Sequence, residues 1–236
     1  MTARRFAEVA ASIGGAALVL AALVIIWVAR ISVGHDVYVS ELGAAAMPTA
    51  REFEVALLMI VAGGSLIAFA GRDVRSRIRF LALWTPAVSL WISCGFFFAA
   101  SQVTCTYTCP VPYGATFDWQ DFGHTLFATC AFIVACWAML QAAFAQGHRV
   151  LALFSLVMGA AVGAIAAVGG ILALARFQVG FGSRLELVAT SLAIAWVAVY
   201  GVVIAARRMR DSDRRSDGDQ RRDMRSSSSV ASPTST

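Results

Sequence analysis

Six long segments of this chain contain no aspartate, glutamate, lysine or arginine, and this feature constrains the fold more than any other. A bilayer core about 30 Å thick requires roughly 20 apolar residues in each helix that crosses it. The chain is 59% hydrophobic and 14% charged, whereas soluble domains carry about 25% charged residues. Each segment can therefore hold one membrane-spanning helix. The segments are 9–29, 55–71, 80–117, 122–148, 150–175 and 187–206.

The pattern predicts an all-α, polytopic integral membrane protein, with a six-helix transmembrane bundle in residues 1–206. The first apolar run is longer than the 7–15-residue core typical of a signal peptide, and no small-residue cleavage site follows it. We therefore expect it to be retained as the first span. The predicted spans are 9–32, 53–71, 80–101, 122–145, 150–175 and 186–206.

The arginines predict the orientation of the bundle. All 19 basic residues are arginine, and six spans place both termini on one side of the membrane. If that side is the cytoplasm, 15 arginines are cytoplasmic, and only Arg30, Arg51, Arg176 and Arg184 lie outside. Because cytoplasmic loops are enriched in Lys and Arg, we expect a multi-pass cell-membrane protein with a cytoplasmic N-terminus and a cytoplasmic C-terminus.

Residues 207–236 differ from the rest of the chain. They mix arginine with aspartate and end in serine, threonine and proline, without hydrophobic periodicity. Such a segment buries too little apolar surface to offset its ordering entropy, so the sequence predicts a disordered cytoplasmic tail. The basic pI reflects arginines that flank the spans, and it does not indicate nucleic-acid binding.

The fifth predicted span contains a GxxxG motif, Gly159 to Gly163, followed by Gly169 and Gly170. Small residues allow helices to approach closely in a membrane. We expect this face to pack inside the chain, with a dimer interface as the alternative. The sequence does not fix the oligomeric state.

With this orientation, most acidic residues outside the tail lie at the outer surface, in segments 33–52, 102–121 and 176–186. These loops predict an outward-facing polar vestibule. Arg51 and Arg184 can pair with loop acids or hold a lipid phosphate. The candidate binding residues are His35, Asp36, Ser40, Glu41, Arg51, Arg184 and Glu186.

Two cysteines, Cys105 and Cys109, lie in the second outer segment, which carries the sequence CTYTCPVP. An extracytoplasmic location allows oxidation, so the spacing predicts a small disulfide ring. Free thiols and a metal-binding pair remain alternatives, the latter without partner ligands at zinc-finger spacing.

Asp118, Asp121 and His124 follow at intervals of three and share one helix face if the fourth helix begins near residue 117. The structural interpretation makes Asp118 an N-cap and places Asp121 in the first turn, where acidic residues suit the helix dipole. In the functional interpretation Asp121 orients or deprotonates His124, or both bind a divalent metal with His35 and Asp36. We favour the structural interpretation, and the sequence requires no cofactor.

Three features together resemble a known family: YVSELGA in the first outer loop, CxxxCPxP in the second, and DxxH at the start of the fourth span. A six-span chain with these motifs resembles the bacterial membrane family called domain of unknown function 998 over residues 9–206. More distantly, it is similar to the damage-regulated autophagy modulator group. The resemblance implies work on or with membrane lipids. The residues it singles out are Ser40, Glu41, Gly43, Asp121 and His124.

The sequence favours a non-enzymatic membrane protein whose vestibule binds membrane lipid or a protein partner. The alternative is a membrane-embedded lipid hydrolase or transferase that uses Asp121 and His124, with or without a metal. A third hypothesis is a small-solute transporter, although the sequence shows no continuous polar pathway. The interiors of the spans carry no charged residue, which argues against an ion-coupled pump. Nucleophile-elbow, P-loop and HExxH motifs are absent from the sequence.

Overall fold

The computed structural model describes residues 3–107, 109–110, 114–147, 149–175 and 177–230, without the side chains of 116 and 213–230. The protein is all-α. Two short 3₁₀ helices, Ser40–Gly43 and Gly114–Thr116, lie in connections between the long helices. The six α-helices are α1 (Ala3–Val33), α2 (Ala50–Ala70), α3 (Pro86–Gln102), α4 (Trp119–Ala143), α5 (Arg149–Leu174) and α6 (Val179–Val230).

Five of these helices are long and apolar enough to cross a membrane, which indicates a multi-pass membrane protein; among the described residues, α3 is the exception. With 17 residues, α3 is about 26 Å long. The predicted start of this span at residue 80 is wrong, because the chain forms turns up to Thr85. The Thr85 side chain accepts a hydrogen bond from the Val88 N–H, and Pro86 occupies the first helical position. This Thr-Pro pair is a helix-start signal that outweighs the apolar residues before it.

Other predicted boundaries lie inside longer helices. α1 begins at Ala3 and α6 at Val179, so polar flanks continue the helical backbone. α6 also passes the predicted end at residue 206, and Arg207 lies 3.8 Å from Asp211 across one helical turn. The tail predicted to be disordered is therefore helical where it leaves the bundle. Disorder further along the tail stays a prediction, and 231–236 lie outside the described residues.

The helices form a closed ring in chain order, because each packs against its neighbours in sequence and α1 also packs against α6. The tightest crossing is between α1 and α2. A Cβ atom added to Gly15 would lie 2.6 Å from the Gly63 carbonyl oxygen, and one added to Gly63 would lie 2.6 Å from the Gly15 oxygen. The two helix backbones therefore touch where both residues lack side chains.

The glycines of α5 only partly follow the prediction of packing within the chain. Gly159 packs against Met139 of α4, and Gly169 packs against Leu185 of α6. Gly163 and Gly170 face open space within the described structure. The GxxxG motif therefore presents one glycine to the bundle and one away from it.

The two ends of the ring are closed differently. One end, here called the arginine end, holds the N-terminus of α1 and the connections α2–α3 and α4–α5. There Glu8, only 1% exposed, pairs with Arg72 at 2.6 Å, Arg208 at 3.0 Å and Arg4 at 3.2 Å. This cluster joins α1 to α6 and to the connection after α2, because a buried carboxylate needs charged partners. The opposite end, the loop end, holds the other three connections.

Candidate functional site

The loop end is held together by hydrogen bonds and ion pairs between separate connections. The Ala45 N–H donates to the Cys105 carbonyl oxygen at 2.9 Å and joins the α1–α2 connection to the α3–α4 connection. Asp36 accepts from Arg30 at 2.7 Å and from Arg184 at 2.9 Å, so it bridges α1 and α6. Hydrogen bonds from Arg184 and Arg30 lower the pKa of Asp36 below its usual value. Asp36 and Arg184 are thus brought together as an ion pair.

Cys105 and Cys109 lie at disulfide distance, with their sulfur atoms 2.24 Å apart, so the predicted pairing is confirmed. The ring is fastened to α4 by Asp121, which is fully buried. This carboxylate accepts from the Thr106 N–H at 2.7 Å and from the Thr106 hydroxyl at 2.8 Å. Gln120 adds a hydrogen bond from its amide to the Thr104 carbonyl oxygen at 2.6 Å. The start of α4 therefore anchors the ring.

Asp118 is the N-cap of α4, as predicted, and its side chain accepts from the Gln120 N–H at 2.7 Å. Asp121 then lies in the first helical turn. Thr106 donates to both oxygens of Asp121, and no hydrogen bond joins Asp121 to His124 among the described residues. These contacts follow the favoured structural interpretation, and the alternative in which Asp121 orients His124 gains no observation.

His124 is 6% exposed and closes the C-terminal end of α3. Its Nδ1 lies 2.7 Å from the carbonyl oxygen of Val103 and 3.1 Å from that of Ala100. Nδ1 carries a proton when it donates to these carbonyls, and in the neutral ring this leaves the lone pair on Nε2. A helix end leaves its last carbonyls without partners, and His124 supplies one donor for two of them.

The predicted metal set of His35, Asp36, Asp121 and His124 does not assemble among the described residues. His35 is exposed, and its Nδ1 lies 3.0 Å from the Val33 carbonyl oxygen. The one described group with suitable spacing is Cys105, Cys109 and His124, whose ligand atoms lie within 4.8 Å of one another. Sulfurs joined in a disulfide offer no thiolate to a metal.

Two carboxylates lie under the first 3₁₀ helix. Glu186 of α6 accepts from the Val39 N–H at 2.8 Å, and the amide and hydroxyl of Ser40 lie within hydrogen-bonding range of the same carboxylate. Glu41 accepts from the Tyr38 N–H at 3.0 Å. Burial raises the pKa of Glu41, and this hydrogen bond opposes the rise. Burial also raises the pKa of Tyr38, as do the charges of Glu186 and Glu41.

A central cavity of about 90 Å³ lies inside the ring, between α1, α2, α3, α4 and α6. Its walls are mainly apolar and include Ile26, Leu57, Phe97 and Ile194. Three polar groups lie together at its loop end. These are Ser40, His124 and Glu186.

The cavity is long and narrow. On α6 its lining residues extend from Glu186 to Val197, and on α2 they extend from Phe53 to Gly64. Eleven residues of helix rise span about 16 Å. With about 90 Å³ of free space distributed along this length, the cavity is a slender crevice rather than a wide chamber.

The seven predicted binding residues therefore divide into four groups. Ser40 and Glu186 line the central cavity, Asp36 and Arg184 form an ion pair, and Glu41 lies beside the cavity without lining it. His35 and Arg51 are exposed, and Arg51 has no ion-pair partner in the described part of the chain.

Two features of the structure were not predicted from the sequence. Glu8 was not singled out, although an acid close to Arg4 and Arg5 inside an apolar helix indicates a buried ion-pair cluster. The approach of His124 to Ser40 and Glu186 has no signal in residue spacing, since it depends on how three connections fold over the ring. No family model, curated protein or solved structure matches this chain.

Proposed function

We propose that the protein is a non-enzymatic, six-span protein of the cell membrane that binds a single-chain lipid in its central cavity. The loop end faces outward and both termini are cytoplasmic. In this proposal α3 completes the sixth span. It runs from the arginine end, where Gln141 donates to the Trp84 carbonyl oxygen at 2.8 Å, to the loop end beside His124. The resemblance of the sequence motifs to membrane families that work on or with lipids supports the same proposal.

The observation that carries the proposal is the division of the cavity into an apolar length and a polar end. The apolar walls suit a hydrocarbon chain, and the three polar groups suit its head. The Glu186 carboxylate and, in the neutral ring that donates through Nδ1, the Nε2 of His124 are hydrogen-bond acceptors, so they favour a head that donates, such as a hydroxyl or an amine. At about 90 Å³ the cavity lies below the 300–1,000 Å³ of ordinary small-molecule sites, which favours a slender ligand.

The enzymatic alternative is not supported by the contacts of Asp121 and His124. A general base must be within hydrogen-bond reach of the proton that it removes, and the group that orients it must contact it. Asp121 accepts hydrogen bonds from Thr106, and the Nδ1 of His124 lies within hydrogen-bonding distance of backbone carbonyls, so no described hydrogen bond joins the two side chains. The transporter hypothesis gains no observation either, because charged side chains of the described chain are concentrated at the two ends of the ring.

The proposal is tested by lipid retention. Protein purified in mild detergent is extracted, and the co-purified lipids are identified and quantified by mass spectrometry. We expect a single-chain lipid with a hydroxyl or amine head at close to one per protein. Ala193→Leu places three additional carbons against the cavity and should displace it, whereas Ala195→Leu, two residues along the same helix and outside the cavity lining, should not.

A second pair of variants tests the head. Glu186→Gln keeps the size of the side chain but removes one carboxyl oxygen acceptor, and it should lower retention of the lipid by roughly tenfold, which corresponds to about 1.4 kcal/mol. Glu52→Gln removes an exposed carboxylate from the same end and should have no effect. A preparation without stoichiometric lipid would refute the proposed function, and so would equal lipid retention by Ala193→Leu and Ala195→Leu.

A further inference from the structure

A second cavity, of about 610 Å³, opens at the arginine end beside the start of α5. We call it the arginine groove. Arg77, from the connection between α2 and α3, and Arg149, the first residue of α5, lie on its walls. Its remaining lining residues are 143–147, Ala152, Leu153 and Leu156.

Backbone pairing between two connections fixes one wall of the arginine groove. Ser76 forms an antiparallel bridge with Ala145, and the Arg77 N–H donates to the Phe144 carbonyl oxygen at 2.9 Å. The Gln146 N–H donates to the Arg75 carbonyl oxygen at 3.1 Å. The guanidinium of Arg77 lies over the Phe144 ring, 5.8 Å from its centre. Arg77 therefore projects from a fixed backbone into the groove.

The positive charge of the arginine groove is not neutralised within the described part of the chain. Neither Arg77 nor Arg149 has an acidic partner there. The nearby acids are already used, since Glu8 pairs with Arg72 and Arg208, and Asp73 pairs with Arg208 at 2.7 Å. The free N–H groups at the start of α5 add partial positive charge on the same side.

The groove continues onto an apolar helix surface. Of the five candidate spans, α5 has the smallest share of its residues buried. Leu153 is 65% exposed, and Val150 and Leu156 are exposed beside it. A ligand bound at the two arginines therefore has a hydrocarbon surface leading away along α5.

We propose that the arginine groove binds the head group of an anionic phospholipid, with an acyl chain lying along α5. Guanidinium groups bind phosphate oxygens through paired hydrogen bonds, and Arg77 and Arg149 offer two such groups in the lining of the groove. The volume lies within the 300–1,000 Å³ of small-molecule sites and accommodates a phosphorylated head group. The site is separate from the central cavity and does not depend on the function proposed for it.

Native mass spectrometry of the full chain tests the site, with phosphatidylglycerol as the probe and phosphatidylcholine and inorganic phosphate as comparisons. We expect one phosphatidylglycerol to bind in preference to phosphatidylcholine. The double variant Arg77→Gln/Arg149→Gln should weaken its binding by roughly 10- to 30-fold, because each arginine near a membrane surface contributes about 1 kcal/mol. Inorganic phosphate at the same concentration should not displace the lipid.

The matched control is Arg75→Gln/Arg79→Gln, which removes the same amount of charge from the same end of the ring without changing a lining residue. It should bind phosphatidylglycerol like the unaltered chain, and melting curves of both double variants check that the fold is retained. Equal loss in both double variants, or equal binding of the two lipids, would overturn the site. Displacement by inorganic phosphate would show an anion site without lipid selectivity and would also overturn the proposal.

Discussion

His124 closes the end of α3 through one ring nitrogen, and mutation can test this structural role. His124→Ala leaves the buried carbonyls of Ala100 and Val103 without their donor, and an unsatisfied buried polar group costs about 1–3 kcal/mol. We expect a lower midpoint of thermal unfolding in detergent. His124→Asn keeps an N–H donor near the position of Nδ1 and should recover part of the loss.

The matched control for this prediction is His35→Ala. The imidazole of His35 is exposed and contacts the Val33 carbonyl oxygen, so its removal should change the midpoint by little. A His124→Ala protein as stable as the unaltered chain would contradict the closing role.

Sequence spacing places single residues on a helix face but does not identify their partners. Asp121 and His124 are both buried in α4, whereas Asp118 precedes the helix as its N-cap and is exposed. The partner of Asp121 is Thr106, 15 residues earlier, in the connection between α3 and α4. Helix periodicity therefore predicted the shared burial of Asp121 and His124 but not which side chains they meet.

At the level of elements, apolar segments of sufficient length located all six helices, because the need to satisfy backbone hydrogen bonds in a membrane leaves few alternatives. The boundaries were less accurate where a local signal competed with hydropathy. Residues 80–84 are apolar, but Thr85 and Pro86 start α3 after them. The sequence predicted close packing at the glycine motif of α5. The close helix crossing instead uses Gly15 and Gly63, which are separated by 48 positions and form no motif.

The crossing of α1 and α2 yields a prediction about Gly63. In Gly63→Ala the new Cβ would lie 2.6 Å from the Gly15 carbonyl oxygen and 2.8 Å from the Val19 side chain. Since the first contact is with backbone, the helices must separate, and overpacking of this kind costs about 1–3 kcal/mol. We expect a lower midpoint of thermal unfolding in detergent.

Gly95→Ala provides the comparison, because a Cβ added at Gly95 of α3 meets no atom within 4 Å. Alanine has the higher helix propensity, by up to about 1 kcal/mol, so this variant should be as stable as the unaltered chain or slightly more stable. If Gly63→Ala behaved like Gly95→Ala, the close approach of α1 and α2 would be disproved.

At the scale of the whole molecule, the ring separates two chemically different ends. The arginine end combines a buried Glu8 cluster with two arginines of the arginine groove that have no acidic partner among the described residues, while the loop end carries the disulfide ring and the polar end of the central cavity. The two proposed lipids accordingly differ in charge: a donor head at the acceptors of the loop end, and a phosphate at the arginines of the other. This division fits the enrichment of arginine in the cytoplasmic loops of membrane proteins.

This arrangement predicts opposite accessibility of the two ends in intact cells. Arg51 at the start of α2 and Arg79 in the connection before α3 are both exposed, and they lie at opposite ends of the ring. A membrane-impermeant maleimide should label Arg51→Cys in intact cells and Arg79→Cys only after the membrane is opened. The unaltered chain is the background control, because its free cysteines, Cys94, Cys130 and Cys136, lie within helices of the bundle and away from water. Labelling of Arg79→Cys in intact cells, with Arg51→Cys protected, would reverse the orientation, and the central cavity would then open towards the cytoplasm.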